Sequence, residues 1–138
     1  LLSNPIQIKT IVDAPLSKVW AYWTLPDHIC KWNAASEDWH TTHAENDLKV
    51  GGKFKSRMEA KNGEAGFDFG GTYDELIPED LIYYHLDDGR KVLVNFEECS
   101  EGVEIKEAFE PENENPREMQ QMGWQSILNE FKAYTEAN

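Results

Sequence analysis

The chain has 138 residues, of which 40% are apolar and 28% are charged, a length and composition typical of one globular domain spanning residues 1–138. Its formal net charge of −13 repels phosphate backbones and anionic lipid surfaces, which argues against nucleic acid as a partner. We interpret this acidity as a source of solubility rather than as a means of capturing a basic partner.

The sequence also carries no sign of a membrane or export segment. No apolar run approaches the ~20 residues needed to span a bilayer. Leu1-Leu2 is followed at once by Ser-Asn-Pro rather than by the apolar core of a signal peptide. We therefore expect a cytoplasmic location. Cys30 and Cys99 lack the paired CxxC spacing of zinc or redox sites, and we expect both thiols to be reduced and partly buried.

The N-terminal residues predict one strand followed by two short helices. Residues 6–12 alternate apolar and polar side chains, as a strand with one buried face does. Residues 13–17 place an acidic residue and a proline ahead of a short apolar-sided helix. A second short helix is predicted to begin at Pro26.

The middle of the chain predicts a continuous antiparallel meander. Strand-like runs alternate with turn residues, among which the Asn62-Gly63 and Asp88-Gly89 steps are strong hairpin signals. The six predicted strands are Trp39 to Ala44, Lys53 to Ala60, Phe67 to Leu76, Leu81 to Leu86, Lys91 to Glu98 and Val103 to Phe109.

The last segment, Pro116 to Glu136, predicts one long helix. Trp124, Ile127, Phe131 and Tyr134 recur at spacings of three and four, which places them on one face. A helix of about 20 residues is ~30 Å long, enough to lie across the whole sheet.

Five segments together resemble a known superfamily over the whole chain. They are VDAPLSKVWAYWT at 12–24, PDHICKWN at 26–33, DLKVGGKF at 47–54, GTYDELIP at 71–78 and GWQSILNEFKAY at 123–134. Their order resembles the START-like superfamily, also called SRPBCC or polyketide cyclase-like. Within it, the chain is similar to the branch named after the C-terminal domain of the activator of the heat-shock-protein ATPase. The implied fold is the α+β helix-grip fold: a curved antiparallel sheet, two short helices after the first strand, and a long C-terminal helix packed across the sheet.

The resemblance implies a cavity between the sheet and the final helix, which the superfamily uses for lipids, sterols, polyketides and other apolar molecules. Its members include carriers, sensors, cyclases and co-chaperone domains, so the fold alone does not establish a function. None of the five segments is a catalytic signature. No residue role is therefore carried over from a cyclase.

Strand parity and helix periodicity predict which side chains line this cavity. The predicted apolar lining is Phe54, Met58, Phe69, Tyr73, Phe96, Trp124, Ile127 and Phe131. Glu107 is the one carboxylate on an apolar parity, and burying an isolated charge is costly. We expect Glu107 or Gln121 to orient a ligand. In the alternative interpretation, Glu107 sits in water at the cavity mouth or bonds Gln120, Gln121 or Trp124.

Candidate catalytic residues are few. Arg57, Asp68 and His85 are polar residues flanked by aromatic ones, and an acid–base pair among them would be the minimum for a cyclase or hydrolase. Arg57 and Asp68 lie opposite the apolar parity of their strands, so we expect both to face solvent. The strand that contains His85 is apolar on both faces and leaves that residue undecided. No catalytic residue is predicted.

Metal and cofactor sites are not indicated either. The stretch from Asn33 to His43 is rich in His, Asp and Glu, but a regular strand would put His40 and His43 on opposite faces, whereas zinc needs ligands that converge. No nucleotide-binding motif is present. Trp23, Trp32 and Trp39 could grip a ligand near the cavity entrance, although we favour a core role for them.

The leading functional hypothesis is a non-enzymatic protein that binds a small apolar or amphipathic molecule in the cavity. The second hypothesis is an enzyme that cyclises, dehydrates or hydrolyses a substrate there. The third is a chaperone-linked or regulatory protein-interaction module with a side-chain-filled interior. Either a monomer or a homodimer is compatible with the sequence.

Overall fold

Seven strands form one antiparallel sheet in this computed structural model, which describes residues 1–138. The strands are β1 (Ile6–Val12), β2 (Trp39–Asn46), β3 (Lys53–Ala60), β4 (Gly66–Ile77), β5 (Leu81–Leu86), β6 (Lys91–Cys99) and β7 (Gly102–Phe109). Their order across the sheet is β1-β7-β6-β5-β4-β3-β2. Strands β2 to β7 are therefore a continuous meander, and only β1 pairs outside sequence order, with β7.

Two β-bulges bend this sheet. The pairing register shifts between Thr41 and His43 in β2, and again between Tyr73 and Glu75 in β4. A bulge leaves one residue unpaired and increases the local bend and twist of its strand. The sheet therefore curls toward the helices, and its concave side is the inner face.

Three helices pack on the inner face: α1 (Leu16–Thr24), α2 (Pro26–Trp32) and α3 (Arg117–Ala137). A proline precedes α1 and α3 and opens α2, positions where its missing N–H and fixed φ suit a helix start. None of the three helices is both long and apolar enough to cross a bilayer.

Side chains along one flank of α3 bind the edge strand β1. The donors and their backbone carbonyl acceptors are Gln121 to Gln7 at 3.2 Å, Gln125 to Lys9 at 3.2 Å and Lys132 to Ile11 at 2.5 Å. These bonds occupy carbonyls that an open sheet edge would offer to another chain. We call this side of the helix the β1 flank.

The predicted α+β helix-grip fold is confirmed, and the bounds of β1, β3 and β5 match those predicted. Strand β2 continues past Ala44 to Asn46, because Glu45 and Asn46 pair with β3. Helix α3 starts at Arg117, one residue later than predicted.

The two thiols differ in exposure. Cys30 is half-buried in α2, as expected, and burial raises its pKa. Cys99 is exposed, which corrects the expectation that both are partly buried. It is the last residue of β6, at the turn into β7. Neither cysteine forms a disulfide.

Candidate functional site

The inner face of β7 carries one carboxyl group among apolar side chains. Glu107 lies between Ile105 and Phe109 on the buried parity of the strand, and it is only 7% exposed. Its neighbours across the sheet are Ile8 of β1 and Val94 of β6, which are both buried. Strand parity predicted this inward position correctly.

The Glu107 carboxyl has no hydrogen-bond or ion-pair partner within the chain, and burial is the one cause that shifts its pKa. Among buried side-chain polar atoms, only Thr135 Oγ1 is both unpartnered and closed to water. The unpartnered Glu107 oxygens therefore adjoin accessible space. Burial raises the pKa of Glu107 to about 8, so the group is largely neutral near pH 7.

A second inward polar group, Tyr84, lies near Glu107. Tyr84 is 9% exposed and sits on β5, separated from β7 by the β6 residues Val92 and Val94. Burial raises the pKa of its phenol, and the Glu107 carboxyl is the next largest cause of that shift. The Tyr84 hydroxyl also makes no hydrogen bond and is not closed to water. Two unsatisfied polar groups thus face the same interior.

The hydroxyl of the neighbouring inward tyrosine, Tyr73, is already hydrogen-bonded within the fold. The Tyr73 hydroxyl donates to Asn46 Oδ1 at 2.5 Å, and Asn46 Nδ2 donates to the Thr24 carbonyl at 2.7 Å. This chain of bonds fastens β4 to β2 and to the end of α1. Tyr73 is therefore a structural tie, and only its ring is free to contact a ligand.

Aromatic rings surround the two unpartnered groups. Trp124 of α3 stacks on Phe109 with ring centroids 4.0 Å apart and planes 8° from parallel, and it meets Phe69 edge-on at 6.1 Å. Phe54 contacts Tyr84 edge-on at 4.9 Å. We call this region the acid end of the interior, comprising Phe54, Phe69, Tyr84, Glu107, Phe109 and Trp124.

The opposite part of the interior is solidly filled. Phe131 of α3 meets Trp23 at 4.8 Å and Trp32 at 5.0 Å between ring centroids. Phe96 of β6 meets Trp20 at 5.4 Å and Trp23 at 5.5 Å. We call this region the packed end, comprising Trp20, Trp23, Trp32, Phe96 and Phe131.

Helix α3 has free space along the flank that carries Gly123. Gly123 precedes Gln125 by two residues, a rotation of about 200°, which places it on the flank opposite the β1 flank. A Cβ built at Gly123 would meet no atom within 4 Å. Met119 and Ile127, one turn to either side, share this flank, and Met119 is 58% exposed. We call the residues Met119, Gly123 and Ile127 the open flank.

Nine of the ten predicted ligand-contacting residues lie in the interior, where they fall into three groups. Phe54, Phe69, Glu107, Trp124 and Ile127 lie at or beside the acid end, with the ring of Tyr73 next to Phe54 at 5.2 Å. Phe96 and Phe131 point inward but belong to the packed end. Met58 is buried toward β2, where its sulfur accepts a hydrogen bond from the Thr41 hydroxyl.

Gln121 is the predicted residue that lies outside the interior. It is exposed and bonds β1 along the β1 flank. Its neighbour Gln120 is buried, but its amide bonds Glu112 and Asn115 in the loop before α3 rather than Glu107. No hydrogen bond joins Glu107 to Gln120, Gln121 or Trp124, so that part of the alternative interpretation is wrong, while the part that places Glu107 in water at the cavity mouth stays a prediction.

The polar residues expected to face solvent do so. Arg57 and Asp68 pair on the outer face at 3.4 Å, with side chains 41% and 52% exposed. His85 also lies on the outer face, where its Nδ1 is 2.9 Å from Asp74. These ion pairs are separated from the interior by the sheet.

The prediction for the two β2 histidines is wrong. His40 and His43 were expected on opposite faces, but both are exposed opposite the outward residues Glu59 and Arg57. The bulge at Thr42 inserts an extra residue, which reverses the parity between them. No group of three or more His, Cys, Asp or Glu side chains converges as a metal site would require.

Trp39 lies apart from the other tryptophans, against Phe67 at 5.7 Å. It is not part of the predicted cluster with Trp23 and Trp32, because β2 carries it to the far edge of the sheet. Trp23 and Trp32 have the expected core role.

A separate surface cleft of about 900 Å³ lies where the β6–β7 turn meets the start of α1. Its rim is largely charged, with Asp13, Glu98, Glu101 and Lys132 among its residues. None of the predicted ligand-contacting residues lines it.

Sequence reasoning missed Tyr84 and Gly123. Tyr84 lies in a strand that is apolar on both faces, so parity gave no preference, although its pairing with the inward Tyr73 would have assigned its side. Gly123 could have been noticed as a helix-disfavouring residue in the middle of α3.

Solved structures that are similar to this chain have the same fold. The solution structure of an AHSA1-like protein from Aeromonas hydrophila is 44% identical, with a TM-score of 0.91, and the match covers 96% of this chain and 92% of that one. Chr148 from Cytophaga hutchinsonii is 51% identical, with a TM-score of 0.84 over 99% of this chain and 94% of that one. CV1439 from Chromobacterium violaceum is 27% identical, with a TM-score of 0.86 over 99% and 100% of the two chains.

The family comparison agrees with these structures and with the helix-grip architecture. No curated protein matches the chain. The family model described as activator of Hsp90 ATPase homolog 1-like protein matches residues 13–136, which span α1 through nearly all of α3. The chain therefore belongs to the family of activator of Hsp90 ATPase homolog 1-like proteins.

Proposed function

We propose that the protein binds a small apolar or amphipathic molecule at the acid end, between the sheet and α3. The observation that carries the proposal is the unpartnered carboxyl of Glu107, which is nine-tenths buried on an apolar face. Buried polar groups are normally hydrogen-bonded, and an exception calls for a further partner such as a ligand or water. Pockets that are mostly apolar with a few oriented polar groups are typical small-molecule sites.

The ligand would reach the acid end across the open flank. A Cβ at Gly123 would meet no atom within 4 Å, and the half-buried rings of Phe54 and Phe69 would form the sheet side of this path. The apolar part of the ligand would lie against Trp124, while its polar group would bond Glu107 and Tyr84. The packed end would close the site on the other side.

A direct test uses octan-1-ol as the probe and two-dimensional NMR as the readout. We expect shifts in the amides of β5 and β7 and in the Trp124 indole. Gly123→Leu should weaken binding by blocking the open flank, whereas Asn129→Leu, at an exposed position of α3 away from that flank, should not. Shifts confined to exposed apolar residues such as Phe67 and Met122, unchanged in Gly123→Leu, would contradict the proposal.

Native mass spectrometry provides a test with the natural ligand. Protein purified gently from its own host should show a non-covalent adduct under soft conditions that is absent under denaturing ones. The adduct should disappear in the Gly123→Leu protein and persist in the Asn129→Leu protein.

A second candidate function is catalysis at the same site. A buried carboxylic acid with a pKa of about 8 suits a general acid near neutral pH, and the Tyr84 hydroxyl could assist it. This reading predicts turnover of a bound aromatic or polyketide-like substrate that is lost in Glu107→Gln. If the wild-type protein binds such a substrate and the substrate is recovered with both its mass and its NMR spectrum unchanged, the carrier or sensor role is supported instead of catalysis.

A further inference from the structure

We propose that the polar group of the ligand is a protonated amine, which forms an ion pair with the Glu107 carboxylate inside the acid end. This inference rests on the proposed function and specifies its ligand class. The molecule is then a cationic amphiphile, with an apolar body against Trp124 and one ammonium group directed at β7.

The first argument is the absence of any cation in the interior. The buried polar and charged residues are Thr24, Thr41, Ser56, Glu107, Gln120 and Thr135, so Glu107 is the only carboxylate and no Lys, Arg or His is buried with it. An opposite charge close to a buried carboxyl favours its ionised form. Arg90 is the one cation whose charge acts on Tyr84, and it is paired with Asp88 at 2.8 Å rather than with Glu107, so a cation for Glu107 would arrive with the ligand.

The second argument concerns the groups that face Glu107 from each neighbouring element. Ile8 of β1 and Val94 of β6 pair with Glu107, and Trp124 of α3 stacks on Phe109, two residues along the same face of β7; all three are uncharged. Tyr84 of β5 is the one titratable neighbour, and its phenol is neutral at physiological pH, as an ordinary tyrosine is, with burial raising its pKa further. Rings that surround the carboxyl also favour a cation through their π faces.

The third argument is the charge of the whole molecule. A net charge of −13 attracts cations and repels carboxylates and phosphates. The negative charge of a fatty acid or a phospholipid would be repelled by the acidic surface of the protein, and it would lie next to another carboxyl group at Glu107. A neutral alcohol could bond the protonated carboxyl, but charge-assisted hydrogen bonds are roughly twice as strong as neutral ones.

Ion pairing at this site should release a proton. Because the pKa of free Glu107 is about 8, the carboxyl must lose its proton to the solvent when an ammonium group binds below that pH. The alkylamine stays protonated, as a lysine side chain does. Amine affinity should therefore increase from about pH 6 to about pH 8 and then level off, whereas alcohol affinity should not increase.

The experiment compares octylamine, octan-1-ol and octanoate by calorimetry at about pH 6 and about pH 8.5, at physiological ionic strength to screen surface ion pairs. We expect octylamine to bind at least about tenfold more tightly than octan-1-ol at the higher pH, and octanoate to bind most weakly. The octylamine affinity should also rise at least about tenfold between the two pH values.

Glu107→Gln should abolish both the amine preference and its pH dependence while retaining octan-1-ol binding. Glu104→Gln removes the same charge from the outer face of β7 and should behave as the wild type does. If octan-1-ol binds at the acid end as tightly as octylamine, the inference is overturned and the proposed function stands. If calorimetry detects no binding of any of the three probes and none of them shifts the amide signals of β5 and β7, the inference and the proposed function are both overturned. If Glu104→Gln removes the amine preference as completely as Glu107→Gln does, the preference arises from the acidic surface. The inference is then overturned, and the proposed function stands.

Discussion

The packed end and the acid end share one sheet and one helix, yet they are built differently. At the packed end, four ring contacts of 4.8 to 5.5 Å join Trp20, Trp23 and Trp32 to Phe96 and Phe131. At the acid end, a carboxyl and a phenol face the interior without partners. The three tryptophans of the packed end come from α1 and α2.

This difference indicates a division of labour along the interior. The tryptophan rings of α1 and α2 stabilise the fold at the packed end. The acid end instead contains a buried carboxyl group, Glu107, whose desolvation costs free energy. Violations of local packing rules are expected at functional sites, while the rest of the fold compensates for them. The comparison therefore makes the acid end the place to search for ligand.

The largest expected effect is at the packed end. Phe131 is fully buried between Trp23 and Trp32, so Phe131→Ala should lower the free energy of unfolding by about 3–5 kcal/mol. Trp124→Ala, at the half-buried acid end, should cost distinctly less despite removing a larger side chain. Urea unfolding of both variants measures the contrast, and equal losses would mean that the two ends are equally packed.

The next largest effect is the pH dependence of stability caused by Glu107. Its pKa is raised from 4.5 to about 8 on folding, so between these values the folded chain holds a proton that the unfolded chain has lost. The free energy of unfolding should therefore fall as pH rises through this window. Between about pH 5 and about pH 9, the free energy of unfolding of Glu107→Gln should rise by on the order of 3 kcal/mol relative to that of the wild type.

Denaturant unfolding across that range checks the sign and the size. Glu104→Gln, which changes the net charge equally, controls for general repulsion and should run parallel to the wild type. A Glu107→Gln curve that also runs parallel would show that the buried carboxyl does not titrate in this window.

A smaller effect, of opposite sign, is expected at the open flank. Gly123 lies within α3 with open space around it, so Gly123→Ala should raise the free energy of unfolding by about 0.5–1 kcal/mol through helix propensity alone. Thermal unfolding measures this gain. A loss of stability would indicate that the flank is in fact closed.

The smallest effect is expected on the outer face. Asp74→Asn breaks the ion pair with His85, whose side chain is 40% exposed. Such exposed pairs contribute about 0–1 kcal/mol, and octan-1-ol binding should be unchanged because the sheet separates this pair from the interior. A binding defect in this variant would place the functional site on the outer face instead.

Local pattern predicted most of the fold because its signals act over a few residues. Alternation in β1, the Asn62-Gly63 and Asp88-Gly89 turns and the period of α3 each depend on neighbours in sequence, and the structure contains each element. The β2 bulge was missed because the extra residue changes parity without a proline or glycine to mark it. The assignment of Gln121 failed because its position on the helix circumference depends on how α3 is rotated against β1.

The sequence by itself determined the order of elements, the inward position of Glu107 and the acidic exterior, since these follow from composition and from the period of two or 3.6 residues. Only the tertiary structure decided that Glu107 lacks a partner, that Tyr84 lies near it, and that the aromatic residues fill one end and leave the other open. The physical reason is that hydrogen bonding and burial depend on contacts between side chains of β5, β6, β7 and α3. These elements lie far apart in the sequence, so local patterns do not predict which of their side chains meet.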